Sequence, residues 1–232
     1  MSALLFGGTL KRYASFGMTG DSTTCSTCRS DFRESIRYLV QNASLLVVFL
    51  LAAILNLALV GLTIGAPIVV SKHLGIQSSF VGIIEVAMGL GGLVGSGLVG
   101  IWPHRFSFKG ICRYVAMICF GVVPIIVTLL SGPDEFAFTA LAAGSAWVMA
   151  WASITSVEIV SFVQRSAPKE LCGKVLAFVY MMLSCATPIG QLVYGLAYDR
   201  WAPAIVFAGM LAVLTLTTVQ FYRLKSRLWQ LS

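Results

Sequence analysis

Two carboxylates lie well inside long apolar runs of this 232-residue chain, Glu85 and Glu158. An ionisable group at membrane depth costs a few kcal/mol, so it faces protein or water and marks a proton relay, an ion contact or a buried pair. Glu158 sits about one and a half turns from the end of its run. There it can snorkel to the interface or pair with Arg165 farther along the same helix, or it can be such a functional group. Glu85 lies near the opposite membrane edge, where a gating or structural pair and a substrate contact are both open readings. Asn56 and Thr63 are the main polar residues of a charge-free run and, seven apart, share one helical face. They and Gln191 offer hydrogen bonds either to a solute or to a neighbouring helix.

Other chemistries find no support. His73 and His104 fall at helix ends on opposite sides of the membrane, and neither G-x-S-x-G nor H-E-x-x-H occurs, so an intramembrane enzyme is not expected. Cys25 and Cys28 form a lone C-x-x-C with no second pair or nearby His, and zinc asks for about four ligands. No metal and no cofactor is expected. The Gly-rich run from Gly89 to Gly100 is no phosphate loop, because no Lys-Ser/Thr closes it. Its Gly91-x-x-x-Gly95 instead permits close helix packing. The net charge of +7 is spread between apolar runs without a nucleic-acid motif, so nucleic acid is not a partner.

The elements that must position these residues are membrane spans. With 58% hydrophobic and 11% charged residues and a mean hydropathy of +0.89, the chain is too apolar for water, and the lipid bilayer is its solvent. Six runs are long enough to cross: 45–70, 79–102, 110–130, 136–163, 173–198 and 202–222. Fourteen of the sixteen Lys and Arg fall on one side of a six-span threading, and only Lys72 and Arg200 on the other. The positive-inside rule then puts both termini in the cytoplasm. Residues 1–31 form a cytoplasmic segment expected to be disordered, 32–44 an amphipathic helix at the interface, 45–222 the bundle, and 223–232 a basic cytoplasmic tail. Spans four to six start about 91, 94 and 92 residues after spans one to three, the spacing of two inverted three-helix repeats. The expected fold is therefore an all-α membrane bundle of six transmembrane helices, with Pro67, Pro124 and Pro188 inside spans.

The stretch from Val163 to Pro203 carries a resemblance. Gln164, Arg165, Pro168, Gly173, Lys174 and Val175, followed by Gly195, Asp199 and Arg200, resemble the loop before helix eleven, and helix eleven itself, of major facilitator superfamily exporters. Phe32-Arg33-Glu34 through Arg37-Tyr38-Leu39 is similar to the segment before helix seven in their drug- and macrolide-efflux branch. The resemblance covers about residues 32–228 and corresponds to the C-terminal six-helix half alone. It implies half of a major facilitator fold and proton-coupled efflux of a small-molecule substrate. It also implies a second six-helix half or a homodimer partner, and an integral protein of a bacterial plasma membrane. Arg105, Arg165 and Lys174 fall at the family's cytoplasmic gate and loop positions, and Gly195 at a helix-packing position. Glu158 falls on a cavity-lining helix, which makes it a candidate for proton coupling or cation contact. The loop after span two, from Gly100 to Lys109, lacks the acid that the family's latch uses, which puts gating through it in question. The alternative reading is a non-transporting membrane protein that keeps the fold.

Overall fold

The computed structural model describes residues 43–73, 75, 77, 79–131, 135–166 and 169–228. Among them six helices are long and apolar enough to cross a bilayer: α1 (Ala43–Ile68), α2 (Ser79–Ile101), α3 (Ile111–Ser131), α4 (Glu135–Ser166), α5 (Lys169–Arg200) and α6 (Pro203–Leu228). The described residues form no strand. The expected segments 1–31 and 32–42 lie outside the described residues. At 32 residues each, α4 and α5 are about 48 Å long, well beyond a hydrocarbon core of roughly 30 Å. The first apolar span begins at Leu45 and the last ends at Arg223, while the helices that carry them run slightly farther, from Ala43 and to Leu228.

Packing repeats between the two halves of the bundle. The extensive pairings are α2 with α4, α3 with α4, α1 with α5, α1 with α6, and α3 with α6, with a lighter α1–α4 crossing. Exchanging α1, α2 and α3 for α4, α5 and α6 turns the α2–α4 pair into α5–α1, and α3–α4 into α6–α1. The α3–α6 and α1–α4 pairs map onto themselves. Two three-helix units of opposite entry side, related by an in-plane pseudo-two-fold, produce this pattern.

Small residues let the central pairs approach. A Cβ at Gly91 would fall on the Ala146 carbonyl, and one at Gly95 on the Ala150 carbonyl, so α2 and α4 touch backbone to backbone. Against α1 the fit is reversed. Gly61 and Gly65 of α1 receive the rings of Tyr194 and Tyr198 from α5, and the Tyr198 hydroxyl donates to the buried Gly61 carbonyl at 3.0 Å. Gly190 completes the seat, since a Cβ there would press on Leu57 and Val60. A Cβ at Gly195 would meet nothing within 4 Å. Within the described residues Gly195 therefore makes no close helix contact of the kind Gly190 makes with α1.

The two ends of the bundle differ in chemistry. At one end Leu45, Val163, Val175 and Val179 bury one another, and Phe108 of the α2–α3 connection stacks on Phe162 of α4 with centroids 4.0 Å apart. Phe221 of α6 meets the same Phe108 edge-on. Arg105, Arg165 and Lys174 belong to this basic end. At the other end Phe80 meets Phe138 edge-on, and Lys72 pairs with Asp199 at 3.3 Å. There α1 passes into a π-helical turn, Val69–His73, just after Pro67. The Ser71 hydroxyl donates to the Pro67 carbonyl at 2.8 Å, satisfying an acceptor in the disturbed turn.

Candidate functional site

The site is built from the faces that α1, α4 and α5 turn toward one another. α1 contributes Ala52, Leu55, Asn56 and Leu59 at helical spacing, and α5 contributes Leu176, Val179, Tyr180 and Leu183. The α4 stripe runs Ala152, Thr155, Ser156, Ile159, Val160, Val163, and Ile118 of α3 closes the back. Together they wall a cavity of about 90 Å³, room for several waters between polar partners. The apolar cluster of Leu45, Val163, Val175 and Val179 narrows it toward the basic end.

No described wall residue carries a charge. Four are polar: Asn56, Thr155, Ser156 and Tyr180. The buried Thr155 donates its hydroxyl to the Trp151 carbonyl at 2.7 Å, so its proton is already committed. Asn56, Ser156 and Tyr180 make no side-chain hydrogen bond with any described residue. An unused amide, hydroxyl and phenol in an apolar wall require water or a solute, because lipid offers no partner.

Of the residues singled out from sequence, Asn56 is in the wall. Thr63 lies two turns farther along α1, exposed, with its hydroxyl spent on the Val60 carbonyl at 2.9 Å. Gln191 is exposed on α5, eleven residues beyond Tyr180 and so about 16 Å farther along nearly the same face. Glu158 is half-buried but outside the wall. It falls one turn beyond Ile154 and two beyond Trp151, whose side chains pack with Tyr114, Val99 and Phe106 under the α2–α3 connection. Arg165, two turns on along the same helix face, is the charge that acts on it. Glu85 is exposed on α2, among Gly82 and Gly89, which have open space where a side chain would stand. The carboxylates and the polar wall are therefore not brought together. Of the residues expected at the gate, Arg105 and Arg165 are exposed, and Lys174 is exposed near the start of α5.

Sequence reasoning missed Thr155, Ser156 and Tyr180. Single hydroxyls in apolar helices are common, and only the packing of three helices reveals that these share a space with Asn56. It also missed Ser145, fully buried on α4 two turns before Ala152, whose hydroxyl has no partner among the described residues. The C-x-x-C of Cys25 and Cys28 lies outside the described residues, and the described residues contain no group of three metal-ligating side chains.

The α2–α3 connection needs no acid to hold it. The Ser107 amide donates to the Tyr114 hydroxyl at 3.0 Å, Phe106 packs on the Tyr114 ring, and Phe108 is clasped between Phe162 and Phe221.

Six apolar spans in two exchangeable three-helix units, with a polar-studded cavity between them on the basic side, describe a membrane carrier, and the sequence profile of one family, transmembrane secretion effector, matches residues 20–231. The chain belongs to that family. It is a membrane transport protein of the major facilitator type, integral to the bilayer, and membership carries no expectation of enzymatic chemistry. No curated protein and no solved structure gives a match.

Proposed function

We propose that this transporter exports a small solute from the cytoplasm of a bacterial cell, driven by protons, as one six-helix body of a two-body carrier. The observation that carries the reading is the cavity between α1, α4 and α5, whose described walls carry no charge and hold three unspent polar groups. Carriers of this type bind solute near the midplane, where repeats meet. The basic end faces the cytoplasm in this reading, because cytoplasmic edges collect Lys and Arg.

The second body covers α2 and α5. Half of α1's span is buried, against 17% of α2's and 24% of α5's, and these two least-buried helices exchange places under the pseudo-two-fold. An exposed carboxylate, Glu85, beside Gly82 and Gly89 suits a protein neighbour better than acyl chains. Glu158 is the proton-coupling group in this proposal. It acts from beside the cavity, through the helix that supplies Thr155 and Ser156, and not by touching solute.

The test is efflux of a panel of dyes and antibiotics from cells expressing the chain, with and without Glu158→Gln. Expulsion of at least one compound is expected, abolished by a protonophore and reduced at least about tenfold by the substitution. Efflux that ignores the substitution removes Glu158 from the coupling. Loss of every compound's efflux favours a non-transporting protein that retains the fold.

A further inference from the structure

We propose that the cavity between α1, α4 and α5 selects an uncharged solute with an apolar body and at least one hydrogen-bonding group, read by Asn56, Ser156 and Tyr180. This rests on the export reading and specifies the chemistry of its site.

The wall excludes ions by what it lacks. None of its fifteen described residues is charged, and Glu158 of α4 lies outside that wall, one turn beyond Ile154 and within the electrostatic reach of Arg165. An ammonium or a carboxylate entering the space would shed water and find no counter-ion, a penalty far larger than an apolar wall returns. The wall invites the rest of such a solute by what it offers. Leu55, Leu59, Ile159, Val160, Leu176 and Leu183 supply apolar surface. The amide of Asn56 gives donors and an acceptor, and the hydroxyls of Ser156 and Tyr180 serve as either. These three groups come from three different helices, so a solute that engages them spans both three-helix units. Asn56 and Ser156 sit on α1 and α4, which are equivalent under the pseudo-two-fold, and Tyr180 on α5 lies across from them. A group without its own hydrogen-bonding atoms would displace the water that Asn56, Ser156 and Tyr180 hold and return no hydrogen bond, which such a site rejects more strongly than a changed alkyl shape.

The experiment is equilibrium dialysis with the purified chain in lipid nanodiscs, protein-free nanodiscs serving as blank. Three probes of one ring system are compared: 2-naphthalenemethanol, which is uncharged, a naphthylmethyl trimethylammonium salt, and 2-naphthalenesulfonate. The uncharged alcohol is expected to bind above the blank, at least about tenfold tighter than either ion. Asn56→Leu and Tyr180→Phe are each expected to weaken it about five- to tenfold, the worth of one hydrogen bond in such a setting. Thr63→Val, outside the wall, should leave it unchanged. Tyr180→Phe removes one oxygen from a half-exposed side chain and so keeps the test alive if Asn56→Leu fails to fold. Preferential binding of either ion, weakened by the same two substitutions, would overturn the solute class while leaving the cavity as the transport site. Binding of the alcohol that neither substitution alters, or no binding above the blank, would overturn the site assignment, and the efflux panel reports separately on export.

Discussion

Tyr198 shows how single side chains hold this bundle together. Its ring fills the notch left by Gly65, and its hydroxyl reaches the Gly61 carbonyl across the α1–α5 seam. Interhelical hydrogen bonds in membranes contribute modestly, because the unfolded segments also find partners. Tyr198→Phe should therefore lower unfolding stability in mixed micelles by only about 1 kcal/mol. A loss several times larger would mean that the hydroxyl, and not the ring in its notch, carries the seam. The sequence displays Gly91 and Gly95 as packing residues because four-residue spacing on an apolar helix has one physical use. At Gly195, a packing position only by resemblance, a Cβ would meet open space among the described residues, while Gly190 is the glycine of α5 that seats against Leu57 and Val60. Spacing identifies a face of a helix but not what that face meets. The same limit hides Ser156 and Tyr180, and the resemblance that puts Glu158 on a cavity-lining helix does not reveal that Glu158 lies outside the wall.

The α2–α3 connection is an element whose chemistry departs from what its position suggests. Lacking an acid, it is anchored by aromatic rings: Phe106 against Tyr114, and Phe108 between Phe162 and Phe221. Ring packing is not screened by salt, whereas a charge latch is. Phe108→Ala should free the connection, raising trypsin cleavage at Arg105 in vesicles open on the basic side by at least about tenfold, since cleavage follows the population of the opened loop. In the unaltered protein that cleavage should not respond to added salt. Equal cleavage in both proteins, or release by salt alone, would mean that charge holds the connection. Span positions are legible from hydropathy because crossing lipid demands about 20 apolar residues in a row. The π-helical turn at Val69–His73 is not, since it depends on how α1 ends against its neighbours.

At the scale of the whole molecule, two lines of reasoning converge on one architecture. Charge segregation predicts that Arg105, Arg165 and Lys174 share an end, and the contacts of Phe108, Phe162, Val163 and Val175 gather those elements together. Repeat spacing predicts two exchangeable triplets, and the pairing pattern obeys that exchange. What neither spacing nor charge conveys is the cavity, which exists only once α1, α4 and α5 are docked. The central claim is that this space belongs to a solute path through the membrane. It is tested most directly by Ser156→Cys in a chain whose six cysteines have been replaced, treated with the small, uncharged and water-soluble 2-hydroxyethyl methanethiosulfonate. Reaction is expected within about tenfold of the rate at an exposed loop position, because a polar-walled cavity of this size holds water. Reaction with a strongly lipid-soluble maleimide alone, and none with the water-soluble reagent, would place Ser156 against lipid and overturn the claim.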